Sequence, residues 1–201
     1  MILSDQEIMR AQTEHNIISD FNPDQVEPAS YDLRLADKIL LEKNYSRPIG
    51  MNEEVEYIPT SINDRPLNPQ EFVLGSTEEY ISLPDNLAAF VTGKSTIGRK
   101  AIEVHQTAAW IDPGFQGNIT LEIINNSSNK RKLKAGELIA QIVFFKVSGT
   151  VLEPYDGKYQ NSDGVIGSLV KKPTNMLFEK PTNKSTYISE PRWTGPEGKS
   201  E

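Results

Sequence analysis

Between Thr92 and Ile123 the chain reads TGKSTIGRKAIEVHQTAAWIDPGFQGNITLEI, and most of its chemically able residues fall there. Gly93, Lys94, Ser95, Thr96 and Arg99 form a glycine-flanked cluster of hydroxyls and bases. Glycine-flanked turns at helix starts present backbone amides to phosphate, and Ser95, Thr96 and Arg99 add donors of the right kind. Two carboxylates follow: Asp112 in the turn Asp112-Pro113-Gly114, and Glu122 between Leu121 and Ile123. A carboxylate held in a half-apolar strand suits proton transfer, because partial burial moves its pKa toward neutrality. A phosphate cradle beside such a carboxylate points to an enzyme that handles nucleotides.

The chain around this stretch has 201 residues, 37% of them hydrophobic and 24% charged, with a net charge of −7. That length suits one domain with a tail. An acidic chain gains nothing from counterion release, so a nucleic acid polymer is not an expected partner. A small phosphorylated ligand is compatible with bases gathered locally. The absence of cysteine rules out disulfides, thiolate metal sites and cysteine nucleophiles. The opening MILSDQEIMRA lacks the basic-then-apolar order of a signal peptide. No stretch reaches the roughly 20 apolar residues that span a bilayer. The expected compartment is the cytoplasm, without a membrane partner.

The elements that must position these residues are mostly strands. Ser4-Asp5-Gln6-Glu7 has capping-box spacing, which predicts a helix over about 5–14 with Ile8 buried. Asn22 to Pro28 reads as loop. Tyr31, Leu33 and Leu35 alternate with Asp32 and Arg34, which predicts a strand with the two charged residues on a solvated face. Glu42 to Gln70, with Pro48, Pro59, Pro66 and Pro69, reads as hairpins and a long excursion. Short apolar runs then recur at 72–74, 80–83, 87–91, 118–124, 138–146 and 149–152, divided by turn residues such as Gly75 and Pro84-Asp85-Asn86. Only Ser95 to Lys100 resembles a further helical turn. Many short strands with little helix predict an all-β barrel or sandwich over 1–170. A polar extension with Pro173, Pro181, Pro191 and Pro196 is expected over 171–201.

Several motifs in order resemble the dCTP deaminases of the dUTPase-like superfamily. They are Gly93-Lys94-Ser95-Thr96-Ile97-Gly98-Arg99, His105-Gln106-Thr107-Ala108 and Ile111-Asp112-Pro113-Gly114-Phe115-Gln116-Gly117. Pro28 to Leu35, Gly136 to Gln141 and Pro154 to Tyr159 extend the likeness over most of residues 1–168. The resemblance implies a distorted β-barrel that forms a homotrimer with active sites between subunits. It assigns Ser95 and Arg99 to phosphate and water, and the backbone at Ala108 to the attacking water. It makes Glu122 the deaminase carboxylate. It puts Asp112 against the deoxyribose, and Tyr155 and Lys158 over the triphosphate. Lys94, Thr96, Trp110, Phe115 and Ser162 complete the expected substrate contacts. The chain departs from the family pattern at Lys94, where arginine is usual, at Ser162, where glutamine is expected, and at Phe115, where some members carry tryptophan. Ala109-Trp110 is similar to the pattern of bifunctional members, which carry dUTP on to dUMP and pyrophosphate.

The familiar nucleobase deaminases hold zinc with His and Cys. This chain has no Cys and only His15 and His105, so that ligand set is missing. A zinc-free route needs one carboxyl group that takes a proton from water and passes it to N3, the role expected of Glu122. Magnesium is expected to arrive on the nucleotide phosphates, with no dedicated protein cage. His105 is expected to be a hydrogen-bonded structural residue. Two other functions fit the same residues: hydrolysis of dUTP alone, or a nucleotide-binding regulatory trimer without turnover.

Overall fold

Ser4 opens the first helix as its spacing predicts. Its hydroxyl accepts from the Glu7 N–H at 3.5 Å, and its own N–H donates to Glu7 Oε2 at 3.4 Å. Helix α1 runs over Asp5–His15 with Ile8 and Ala11 buried, and ends where Asn16 turns left-handed at φ 51°. The computed structural model describes residues 1–170, and the extension expected over 171–201 lies outside the described residues.

Strands follow in order: β1 (Val26–Glu27), β2 (Ser30–Arg34), β3 (Lys38–Glu42), β4 (Tyr57–Ser61), β5 (Phe72–Ser82) and β6 (Leu87–Gly93). After β6 come the short helix α2 (Ser95–Gly98), β7 (Ile102–Glu103), β8 (Trp110–Ile111), β9 (Gln116–Asn125) and β10 (Leu138–Lys146). They make two antiparallel five-stranded sheets, ordered β1-β2-β10-β6-β8 and β4-β3-β5-β9-β7. The chain is mostly β, as the short alternating runs predict. Apolar residues of both sheets, among them Leu33, Ile39, Ile123, Ile142 and Phe144, are fully buried in one core cluster.

Four local expectations change. Pro23–Gln25 forms a 3₁₀ turn and Val26–Glu27 a strand where the sequence reads as loop; two residues are too few to show a period. Gly75 does not divide two strands, because β5 runs through it. A Cβ there would sit 2.9 Å from Ile123 Cδ1 and 3.1 Å from Leu35 Cδ1, so this glycine serves close packing. Residues 149–152 form no strand: Gly149 turns the chain at φ 86°, and Leu152 stays 91% exposed.

The fourth change concerns Asp32 and Arg34, whose face is not solvated. Strand β2 is packed on both sides, so alternation does not separate core from water there. Glu79 is fully buried and accepts from the Arg34 backbone N–H at 2.9 Å and from Arg34 Nε at 2.8 Å. Asp32 is 3% exposed, and Gln25 Nε2 donates to its carbonyl at 2.7 Å. Arg34 and Glu79 pair as ions, Asp32 pairs with Lys94, and buried charges of this kind are held only when paired. Among the described residues, no helix is long and apolar enough to cross a membrane.

Candidate active site

Strand β9 lies between β5 and β7, and its alternation sends Leu121 and Ile123 into the core. Glu122, opposite Leu74 in register, therefore leaves the core on the other face. Its carboxylate is caught from above. Oε2 accepts from the backbone N–H of Gln106 at 2.7 Å and of Thr107 at 3.2 Å. Oε1 accepts no hydrogen bond among the described residues. The loop before β8 is thus tied to the strand that carries the acid, which fixes one carboxylate oxygen and leaves the other for a ligand.

Glu122 lines a cleft of about 460 Å³. Ala108, Trp110, Asp112, Phe115, Tyr155 and Ser162 line the same cleft, so seven of the expected site residues converge there. Phe72, Leu74 and Ile119 supply apolar wall, and Tyr57 and Tyr159 bring ring surface to the rim. Such a mixture of apolar wall and a few fixed polar groups suits a planar base and a sugar. Trp110 is 55% exposed; its ring lies 5.6 Å from that of Phe145, and its Nε1 donates to Asp112 Oδ1 at 3.1 Å. The tryptophan thereby steers the Asp112 carboxylate, which the turn Asp112-Pro113-Gly114 presents at the cleft edge.

A strap from the C-terminal side closes one wall. Gly114, at φ 86°, has no room for a Cβ, which would lie 2.5 Å from Pro154 Cβ. The Tyr155 N–H donates to the Pro113 carbonyl at 2.8 Å, and the Phe115 and Tyr155 rings meet at 5.8 Å. Asn118 and Thr120, on the same side of β9 as Glu122, then pin the strap. The Asn118 N–H donates to the Ser162 carbonyl at 2.9 Å, Asn118 Oδ1 accepts from the Gly164 N–H at 2.9 Å, and Thr120 Oγ1 accepts from the Ile166 N–H at 3.3 Å. Asn118 Nδ2 also donates to the carbonyls of Thr77, Glu78 and Glu79 at 3.1–3.2 Å, across the bulge of β5. Ser162 is 4% exposed and its hydroxyl donates to the Tyr159 carbonyl, so it serves the strap's own turn. Lys158 Nζ donates to the Leu169 carbonyl at 2.6 Å and lies 4.8 Å above the Tyr159 ring.

The phosphate-type turn lies elsewhere. The N–H groups of Ile97 and Gly98 close on the Lys94 carbonyl, and that of Arg99 on the Ser95 carbonyl. Ser95, Thr96 and Arg99 are exposed, and none of them lines the Glu122 cleft. Lys94 is not free like its neighbours, because its Nζ pairs with the buried Asp32 carboxylate. The side chain expected to offer its charge to phosphate is thus found paired with Asp32. The expectation of a hydrogen-bonded His105 also changes. Its Nδ1 is buried without a partner among the described residues, and its ring stands edge-on to Phe90 at 5.8 Å. Among the described residues, no group of three or more His, Cys, Asp and Glu side chains comes together as a metal site.

A family model described as dCTP deaminase-like matches residues 2–147. The chain belongs to the dCTP deaminase-like family. Its similarity to individual members is distributed over nearly the whole sequence. A protein from Methanosphaera stadtmanae named "dCTP deaminase, dUMP-forming" is 38% identical over 192 residues, covering 88% of this chain and 97% of that protein. One of the same name from Bifidobacterium longum is 41% identical over 169 residues, covering 79% and 86%. The crystal structure of 2'-deoxycytidine 5'-triphosphate deaminase from Agrobacterium tumefaciens superposes with a TM-score of 0.56 at 26% identity. That match covers 71% of this chain and 47% of the other, so the chain spans about half the length of that relative.

Several residues of this family member's cleft had no signal in the sequence. Tyr57 lies in the proline-rich excursion, and only the β3–β4 pairing brings it to the rim. Asn118 and Thr120 look like ordinary polar positions of an alternating strand. Their role depends on a segment more than 40 residues later, and spacing cannot show that.

Proposed function

We propose that this chain is a hydrolytic dCTP deaminase that carries its nucleotide on to dUMP and pyrophosphate. The observation that carries the reading is Glu122, with one oxygen fixed by two backbone N–H groups and the other facing a base-sized cleft. In the proposed step Glu122 takes a proton from water as the oxygen attacks C4 of cytosine, and delivers it to N3. Collapse of the tetrahedral centre expels the amino group as ammonia once it has gained a proton, leaving dUTP. This route uses no zinc and needs one group that acts first as base and then as acid. Attack of a second water on the phosphate chain, with Asp112 helping to activate it, gives dUMP and pyrophosphate. The names of the relatives, "dCTP deaminase, dUMP-forming", support that second stage.

Ser95, Thr96 and Arg99 suit the triphosphate, yet they lie outside the cleft that holds Glu122. This supports a homotrimer in which one copy's turn completes its neighbour's cleft. The triphosphate enters as its magnesium complex, the usual form of a triphosphate held by oxygen ligands. Lys158 and Tyr155 sit on the strap that would cover the phosphates. The cytoplasm, where deoxynucleotides are made, is the proposed compartment. Two observations favour a second reading, a nucleotide-binding regulatory trimer without turnover: Lys94 is committed to Asp32, and the Ser162 hydroxyl to Tyr159.

Incubating pure protein with dCTP and Mg²⁺ while following ammonia, dUTP, dUMP and pyrophosphate tests these readings. Ammonia with dUMP is the expected result. dUTP hydrolysis without ammonia from dCTP would leave a dUTPase only, and tight binding without any product would leave the regulatory trimer.

A further inference from the structure

Lys94 is held at three points. Its backbone N–H donates to the Ile139 carbonyl of β10 at 3.2 Å. Its carbonyl accepts from the N–H groups of Ile97 and Gly98 at 3.0 and 2.9 Å, closing α2. Its side chain runs to Asp32 on β2, and the two side chains are only 20% and 5% exposed. Asp32 in turn is fixed through its carbonyl by Gln25, and its Oδ1 is buried with no hydrogen-bond partner among the described residues. Lys94 precedes Ser95 with extended backbone, and among the described residues no side-chain hydrogen bond caps the start of α2.

From this arrangement we infer that Asp32 is a positioning residue, which sets the Ser95–Arg99 turn through Lys94 and takes Lys94 out of the phosphate-binding set. The inference rests on the proposed function, in which that turn receives the triphosphate. The physical reason is that the Lys94 ammonium cannot swing toward a phosphate without abandoning a buried carboxylate. Among the described residues Asp32 has only that one charge partner, and a buried anion without its partner is strongly disfavoured. Pinned at β10 by its backbone and at β2 by its side chain, Lys94 instead transmits the position of the sheet to the first residue of the turn. The hydroxyls of Ser95 and Thr96, the amides beside them and the Arg99 guanidinium are left to meet the phosphates. Lys94 then ceases to be a candidate phosphate ligand and becomes half of a strut.

The test compares Asp32→Asn, Lys94→Met, Lys94→Arg and the double variant Asp32→Asn/Lys94→Met in the full-length protein. Steady-state kinetics with dCTP and Mg²⁺ are paired with titration of the magnesium complex of inorganic tripolyphosphate, and thermal unfolding reports folding. Each neutral single variant is expected to raise KM for dCTP and the tripolyphosphate Kd on the order of tenfold, with kcat changed far less. Lys94→Arg, which keeps the pair, should stay near the parent value. The double variant, with no unpaired charge left inside, should return toward it. Lys94→Met and the double variant showing the same raised KM and Kd would overturn the inference and make Lys94 a direct phosphate ligand. Asp32→Asn with parental KM and Kd would equally overturn it. A parent protein that binds tripolyphosphate but releases no ammonia from dCTP would sink the deaminase reading alone, because the titration still decides the role of Asp32.

Discussion

Replacing Glu122 by glutamine tests the deaminase chemistry with little disturbance to the fold. The two N–H groups of Gln106 and Thr107 demand an acceptor, so the glutamine carbonyl oxygen must take the place of Oε2. The amide nitrogen then points into the cleft, where Oε1 stood. The variant thus offers two donor hydrogens at the position where the reaction needs an acceptor that becomes an acid. Exchanging charged for neutral acceptors at those two bonds should cost about 1 kcal/mol of stability. Loss of the proposed proton shuttle should cost far more in rate. General acid–base catalysis contributes roughly 10²–10⁴-fold, and here one group serves both directions, so ammonia release should fall by about 10³-fold or more, about 4 kcal/mol of barrier. dCTP binding and the oligomeric state should survive. The assay is ammonia release under saturating dCTP, with binding measured separately and mass by light scattering. Turnover within a few-fold of the parent would refute the assignment. Equal loss of turnover and binding would mean that the side chain holds the substrate rather than moving its proton.

Three further outcomes follow from the geometry. Gly114→Ala places a Cβ 2.5 Å from that of Pro154 at φ 86°, so it should cost about 2 kcal/mol or more and release the strap, seen as faster proteolysis near Pro154 together with a raised KM. Asn118→Ala removes donors to three carbonyls and the acceptor of the Gly164 N–H, which should lower stability by about 1–3 kcal/mol in denaturant unfolding, with hydrogen exchange rising first over 162–166. Glu53 is held down to about 2, from 4.5, by its hydrogen bond to Arg47 and by the Gly50 N–H. Because its folded pKa is depressed, its small stabilising contribution is present above pH 4.5 and is lost as pH falls toward 2. An NMR titration should show that low midpoint, and Arg47→Met should raise it toward the ordinary carboxylate range.

Local chemistry in the sequence was enough for much of the frame. The Ser4-Glu7 spacing places the first helix, and the run Leu138–Lys146 becomes β10 residue for residue, because capping and alternation involve near neighbours. The order of motifs from Gly93 to Gly117 marks the family. The apolar neighbours of Glu122 mark it as a carboxylate leaving a core, because a strand's two-residue period shows directly in the sequence.

Tertiary structure decided the rest, in most cases through a partner distant in sequence. Asp32 and Arg34 read as solvated because a strand pattern cannot show that its second face is covered; Glu79 and Lys94, 45 and 62 residues away, bury their charges. The Ser162 hydroxyl, expected among the substrate contacts, is donated to the Tyr159 carbonyl within a turn of the strap itself. Glu122, Ala108, Trp110, Asp112, Phe115 and Tyr155 share a cleft only because β5 pairs with β9 and the strap returns over them. The same folding leaves Ser95, Thr96 and Arg99 outside it. The sequence by itself therefore determined which residues are able to do the chemistry. The three-dimensional arrangement decided which of them can act together within one chain, because hydrogen bonds and ion pairs form between surfaces that the chain brings together only on folding.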